Sequence, residues 1–273
     1  MATNRKTLLV KGFAAVILTP VLAIVAFFGY LFATQESRIF PGTPLPSDYD
    51  FEFDVPFEEV TIPVDGAELN ALHFRQPNPR GLIFFLHGNG GNLAAWTSEA
   101  EYYQSINYDM FMLDYRGYGK STGRIESESQ LHLDVRTAWD RVAPQYTTKP
   151  IVIYGRSLGT ALAAKLAVDV DSDLVILVSP FTSMIAMARQ QYPLLPEWLV
   201  RYPMRTDQRI DDIAAPILLV HGSADRLIPL EHSKTLVESA AAASRLLVIS
   251  GAGHDDIHLF GDYLTGLAAV LPD

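Results

Sequence analysis

Cysteine is absent from the 273 residues. That removes disulfides, thiol nucleophiles, thiolate-bound zinc, iron–sulfur clusters and lipidated cysteines from the chemistry available to the chain. Basic residues are few beside acidic ones, 21 Lys and Arg against 31 Asp and Glu. The resulting formal net charge of −10, with no basic cluster, argues against a nucleic-acid partner, because phosphate neutralisation needs grouped cations. Internal repeats and low-complexity tracts are also missing, so one catalytic-size domain is the starting expectation. What is plentiful is apolar residues, 49% of the chain, enough for a full core with one membrane segment added.

That segment is residues 12–33, which carry no charge and depart from a plain apolar run only at Thr19, Pro20 and Tyr30. A helix of this length crosses a hydrocarbon core of roughly 30 Å. Arg5, Lys6 and Lys11 precede it, while Glu36 and Arg38 follow. The positive-inside bias then places residues 1–11 in the cytoplasm and the remainder outside it, in periplasm, lumen or extracellular space. A cleaved leader is the rival reading. Against it stand the length of the run and the poor small-x-small match of Leu31-Phe32-Ala33. Residues 34–56, with Pro41, Pro44, Pro46 and Pro56, read as an extended linker off the membrane.

Residues 57–273 carry a regular pattern. Strand-like segments at 59–62 and 68–74 open an antiparallel start, and short apolar runs follow at 82–86, 110–113, 151–154, 174–178, 217–220 and 246–249. Continuous apolar runs, rather than polar alternation, suit parallel strands buried on both faces. Helical spacing fills the intervals 92–106, 128–142, 158–168, 231–242 and 256–270. The alternation implies an α/β fold, a mostly parallel sheet with helices on both faces. Residues 180–216 depart from it and hold Met184, Tyr192, Leu195 and Trp198 among several prolines. Inserted after a strand's C-terminal end, they form a candidate cap over the place where such sheets bind ligands.

Gly155-Arg156-Ser157-Leu158-Gly159 sits directly between a strand-like run and a helical one. A serine on so sharp a turn is pushed out above the sheet, and a Cβ at either glycine would meet neighbouring backbone. Its hydroxyl needs a base to become a nucleophile. Of seven histidines, His254 lies in a loop just after the last strand, at the same sheet edge as the turn. His258 is the nearest rival. His73 and His132 fall on a strand and a helix away from that edge, and His232 reads as an exposed helix start. The imidazole needs a carboxylate to fix its tautomer. Asp225, following the run 217–220, fits better than Glu231, Asp211 or Asp255. The order Ser157, Asp225, His254 results. A tetrahedral intermediate also needs two backbone N–H donors. Leu158 supplies one, and Asn89, with Gly90 as the alternative, supplies the other from the loop His87-Gly88-Asn89-Gly90-Gly91-Asn92. Arg156 is either ion-paired or in contact with an anionic substrate group.

These segments, with Asp114-Tyr115-Arg116-Gly117-Tyr118-Gly119-Lys120-Ser121, His221-Gly222-Ser223-Ala224-Asp225 and Gly253-His254, resemble the successive landmarks of the α/β-hydrolase superfamily. More narrowly they resemble its single-pass membrane abhydrolase-domain, serine-aminopeptidase-like branch, over about residue 58 to the C-terminus. The resemblance implies an eight-stranded sheet, a serine triad and hydrolysis of esters, thioesters, lipids or, less often, peptides. The lipase-type triple glycine is interrupted by Asn89. An ester or thioester of an apolar acyl group is the expected small-molecule or lipid-like substrate, with no metal or cofactor. An aminopeptidase would need a pocket carboxylate such as Glu197 or Glu231. A metallohydrolase using His254 and His258, and a binding protein without catalysis, are the further alternatives.

Overall fold

In the computed structural model, backbone is described for residues 2–272, and side chains for residues 18–96 and 100–272. The first helix, α1 (Ala2–Ala33), contains Pro20 and is followed by the short α2 (Gln35–Ile39). Among the described residues no helix is long and apolar enough to cross a membrane. The side chains of residues 12–17 of the expected span lie outside those described.

The chain then builds an eight-stranded sheet. Strands β1 (Phe57–Val64) and β2 (Ala67–Phe74) form a hairpin whose turn contains Gly66 at a φ of 72°. Such a φ costs glycine nothing and an L-residue much. Strand β3 (Leu82–Leu86) is followed by a short 3-10 turn capped by Asn92 and by α3 (Thr97–Ser105), then β4 (Asp109–Leu113). Helix α4 (Glu128–Val142) begins at a reciprocal cap. The Ser127 hydroxyl accepts from Gln130 N–H, and the Gln130 side chain accepts from Glu126 N–H. Strand β5 (Ile151–Arg156) leads into α5 (Leu158–Asp169), followed by β6 (Leu174–Val178) and α6 (Met184–Gln191). Strand β7 (Ile217–Gly222), α7 (Glu231–Ser239), β8 (Ser244–Ile249) and α8 (Gly261–Ala268) complete it.

The spatial order is β1-β2-β4-β3-β5-β6-β7-β8. Pairs β1–β2 and β2–β4 are antiparallel and the rest parallel. One face is covered by α4, α5 and α7, the other by α3 and α8, so each face has its own apolar layer. The apolar runs within β3, β4, β5 and β6 are buried residue by residue, as a two-faced cover demands. Strand β8 departs from that expectation. At the sheet's edge it is only partly buried. Helix α7 also stops at Ser239, short of the helical spacing, because Ala240 turns extended to feed β8.

Residues 34–56 lie on the domain. Thr43 N–H donates to Gly91 O and Leu45 N–H to Gly119 O, each in an isolated parallel bridge. Phe51 and Phe53 then pack edge-on or stacked among Phe57 and Phe74.

Candidate active site

The nucleophile candidate sits where β5 becomes α5. Ser157 has φ 51° and ψ −117°, a strained backbone held because its N–H donates to Val178 O at 2.9 Å and its carbonyl accepts from Thr160 Oγ1 at 2.6 Å. The turn is tight enough that a Cβ on Gly155 would stand 2.5 Å from Gly159 O, and one on Gly159 would overlap Leu86 O. Glycine at both ends is therefore a steric requirement.

Two loops at the same edge bring the other side chains. Strand β7 ends at Gly222, where a Cβ would overlap Ala252 O, and Ala224 N–H donates to that carbonyl at 2.8 Å. This contact ties the Asp225 loop to the His254 loop. His254 Nδ1 lies 2.8 Å from Asp225 Oδ2, and His254 Nε2 lies 3.0 Å from Ser157 Oγ. An ionised carboxylate can only accept, so Nδ1 carries the proton and Nε2 offers its lone pair to the hydroxyl. Asp225 Oδ1 accepts from Leu227 N–H at 2.9 Å and Ile228 N–H at 2.8 Å. Burial opposes the charge on Asp225, but hydrogen bonds from His221, His254 and Ile228 N–H outweigh it. They hold the carboxyl far below the usual carboxylate range. His221 is itself fixed, its Nε2–H shared between Ile228 O at 2.8 Å and Asp225 Oδ2 at 3.4 Å, while Nδ1 accepts from Ser233 Oγ at 2.7 Å.

Opposite the turn, the His87 loop is oriented by buried side chains. His87 Nδ1 donates to Gly88 O at 2.7 Å, which draws that carbonyl to the imidazole. Because the peptide is trans, the Asn89 N–H points the other way. Tyr118 Oη donates to Asn89 O and Tyr115 Oη to His87 O, at 2.8 and 2.9 Å. Asp114 lies beneath, 3.4 Å from His87 Nε2, and accepts from Leu93 N–H. Residues 114–121 thus support the His87 loop, a role that local sequence patterning does not show. The available signal was that β4 neighbours β3, which no local pattern reveals.

Asn89, Ser157 and Leu158 line one cavity of about 290 Å³, near the small end of ligand pockets. Met184, Tyr192 and Leu195 line it too, whereas Trp198 is 79% exposed on the cap and is not part of the lining, and neither is Gly90. No described lining residue is acidic. Glu197 instead pairs with Arg189, and Glu231 with Lys234 on the surface. Arg156 is buried, over the Trp96 ring at 5.1 Å, and donates to Asp255 O at 3.2 Å. It braces the His254 loop. His232 is not the exposed residue its position suggested. It is buried, accepts from Thr182 N–H at 3.2 Å, and contacts Gln190. His73 is buried beside Tyr146, and His132 is partly buried beside Glu128. His258 stands in a separate 3-10 turn. Among the described residues no group of His and acidic side chains is placed to hold a metal ion.

A family model described as serine aminopeptidase, S33, matches residues 77–206, a span that includes Ser157 and ends before Asp225. The chain is 34% identical over 197 residues to the human alpha/beta hydrolase domain-containing protein 17B, covering 70% of this chain and 66% of that protein. The match thus spans just under two thirds of that relative's length. It is also 32% identical over 256 residues to an uncharacterized protein of Mycobacterium tuberculosis, covering 88% and 89% of the two. In fold it is similar to an esterase of Pyrococcus furiosus, with a TM-score of 0.68 at 18% identity over 84% of this chain and 94% of that one.

Proposed function

The chain belongs to the α/β-hydrolase superfamily, and on that footing we propose that it is a serine hydrolase of carboxylic esters or thioesters with apolar acyl groups. The observation that carries this reading is the hydrogen-bonded series Ser157–His254–Asp225, whose serine lines a mostly apolar cavity without a carboxylate. In the reaction, Ser157 Oγ attacks the acyl carbonyl while His254 Nε2 takes its proton. The carbonyl oxygen becomes an oxyanion that accepts from the N–H groups of Leu158 and Asn89. Collapse breaks the bond to the alcohol or thiol, which leaves with the proton from His254. Water, deprotonated by the same imidazole, then cleaves the acyl-enzyme and returns the serine hydroxyl.

The aminopeptidase alternative is disfavoured because an α-ammonium group finds no anion in the cavity lining. A binding protein without catalysis has no use for the strained Ser157 backbone. The proposal includes a single-pass anchor over residues 12–33 with the catalytic domain extracytoplasmic, supported by the uncharged run and the three cations before it. Labelling by a fluorophosphonate, abolished in Ser157→Ala, and a panel of esters, thioesters and aminoacyl amides test the reading. A preference for the amides over every ester overturns the substrate class. Labelling that persists in Ser157→Ala overturns the nucleophile.

A further inference from the structure

The cavity that contains Ser157 has a wall from an unexpected source. Leu31 and Phe32, in the last turn of α1, and Gln35, at the start of α2, line it together with Tyr192 and Leu195 of the cap. These are residues that the sequence assigns to a tether and its linker. The contact is a small core of its own. Leu31 is 7% exposed and packs with Leu195 and Leu199, each 8% exposed, with Phe28 and Tyr192 around them.

A polar clamp fixes the same helix end to the cap independently of the apolar packing. Gln35 Nε2 donates to Leu199 O at 2.6 Å while Gln35 Oε1 accepts from Arg201 N–H at 2.9 Å, so one amide pairs with the backbone on both sides. Glu36 accepts from Tyr202 Oη at 2.8 Å and pairs with Arg201 Nη1, also at 2.8 Å. Between Ser183 and Arg205 the cap has one helix of eight residues and a three-residue 3-10 turn, too little to close a pocket alone.

We propose that the end of α1 is part of the substrate site, with Leu31 as the side chain that limits acyl-chain length. The inference rests on the hydrolase reading above. An acyl group bonded at Ser157 extends into a lining of leucine, methionine, tyrosine and phenylalanine side chains, and Leu31 stands in that lining from the tether side. The element that carries the enzyme's expected membrane attachment thereby also measures its substrate. A fragment beginning at Gln35 would lack this wall.

The test uses the full chain in phosphatidylcholine vesicles and compares kcat/KM for p-nitrophenyl esters from acetate to dodecanoate. Leu31→Trp is expected to lower the dodecanoate-to-acetate ratio by about tenfold or more, and Leu31→Ala to move it upward, since a methylene group more or less in an apolar pocket carries effects of that order. Phe32→Ala, at a position 41% exposed and so tolerant of truncation, is expected to shift the same ratio and covers the case in which a Leu31 variant does not fold. Ratios unchanged in the folded variants overturn the inference. A wild-type chain that hydrolyses no ester of any length overturns the hydrolase reading instead.

Discussion

Gly159 packs against Leu86 so closely that a Cβ on it would overlap the Leu86 carbonyl oxygen and stand 2.7 Å from His87 O. The contact joins the first turn of the helix behind Ser157 to the strand end that launches the His87 loop. Both obstacles are backbone, so neither can rotate away. Gly159→Ala is expected to cost about 1–3 kcal/mol, the usual penalty of overpacking a well-packed site, and to lower the midpoint of urea unfolding. An unchanged midpoint would mean that the two elements separate at little cost.

The carboxylate of Asp225 holds the His254 tautomer that can accept the Ser157 proton. Asp225→Asn keeps the size and offers an amide that can donate to Nδ1, which would turn the imidazole proton towards the serine. A loss of about 10⁴-fold in kcat is expected, with KM little altered. Stopped-flow or discontinuous ester assays at neutral pH read it directly. Near wild-type turnover would point to another acid.

His87 touches no reacting atom in this scheme and acts through the Gly88–Asn89 peptide. His87→Phe keeps a ring beside Tyr115, whose centroid is 4.3 Å from that of His87, but removes the N–H that holds Gly88 O. A misaimed Asn89 N–H should lower kcat by up to about 10²-fold and leave KM nearly unchanged, because the donor is used only as the oxyanion forms. A rise in KM alone would assign His87 to substrate binding.

Acid stability has a separate anchor at Glu128. Burial opposes its ionisation, but hydrogen bonds from His132, Met204 N–H and Arg209 outweigh it and bring its pKa from 4.5 down to about 2. A depressed folded-state pKa contributes stability above the unfolded value and loses it as pH falls towards the folded one. The stability advantage of wild type over Glu128→Gln, on the order of 2 kcal/mol once solvent screening of the ion pairs is allowed for, should therefore be full above about pH 5. It should shrink between pH 4.5 and 2. Melting temperatures followed by circular dichroism across that range check the sign. A gap that widens on acidification contradicts it.

Much of the fold could be read locally. Apolar runs without alternation fix strands buried on two faces, the helical spacing of residues 128–142 fixes α4, and the glycines around Ser157 fix a strand-to-helix turn. The ends of those same strands collect Ser157, Asp225 and His254 at one sheet edge, since parallel strands all finish on the same side. Each of these signals lies within a few residues of the structure it dictates.

What the sequence could not decide depends on strand order and on long-range packing. Nothing near Asp114 or Tyr118 indicates that they support the His87 loop, because that contact exists only once β4 is inserted beside β3. Trp198 reads like Leu195 by composition, yet only Leu195 turns into the cavity. Leu31 and Gln35 belong by pattern to an anchor and a linker, and they reach the pocket because the cap, far along the chain, presents Leu199 and Arg201 to them. Periodicity and turn chemistry are properties of neighbours in sequence. A pocket wall is a property of surfaces that meet only after the chain has folded.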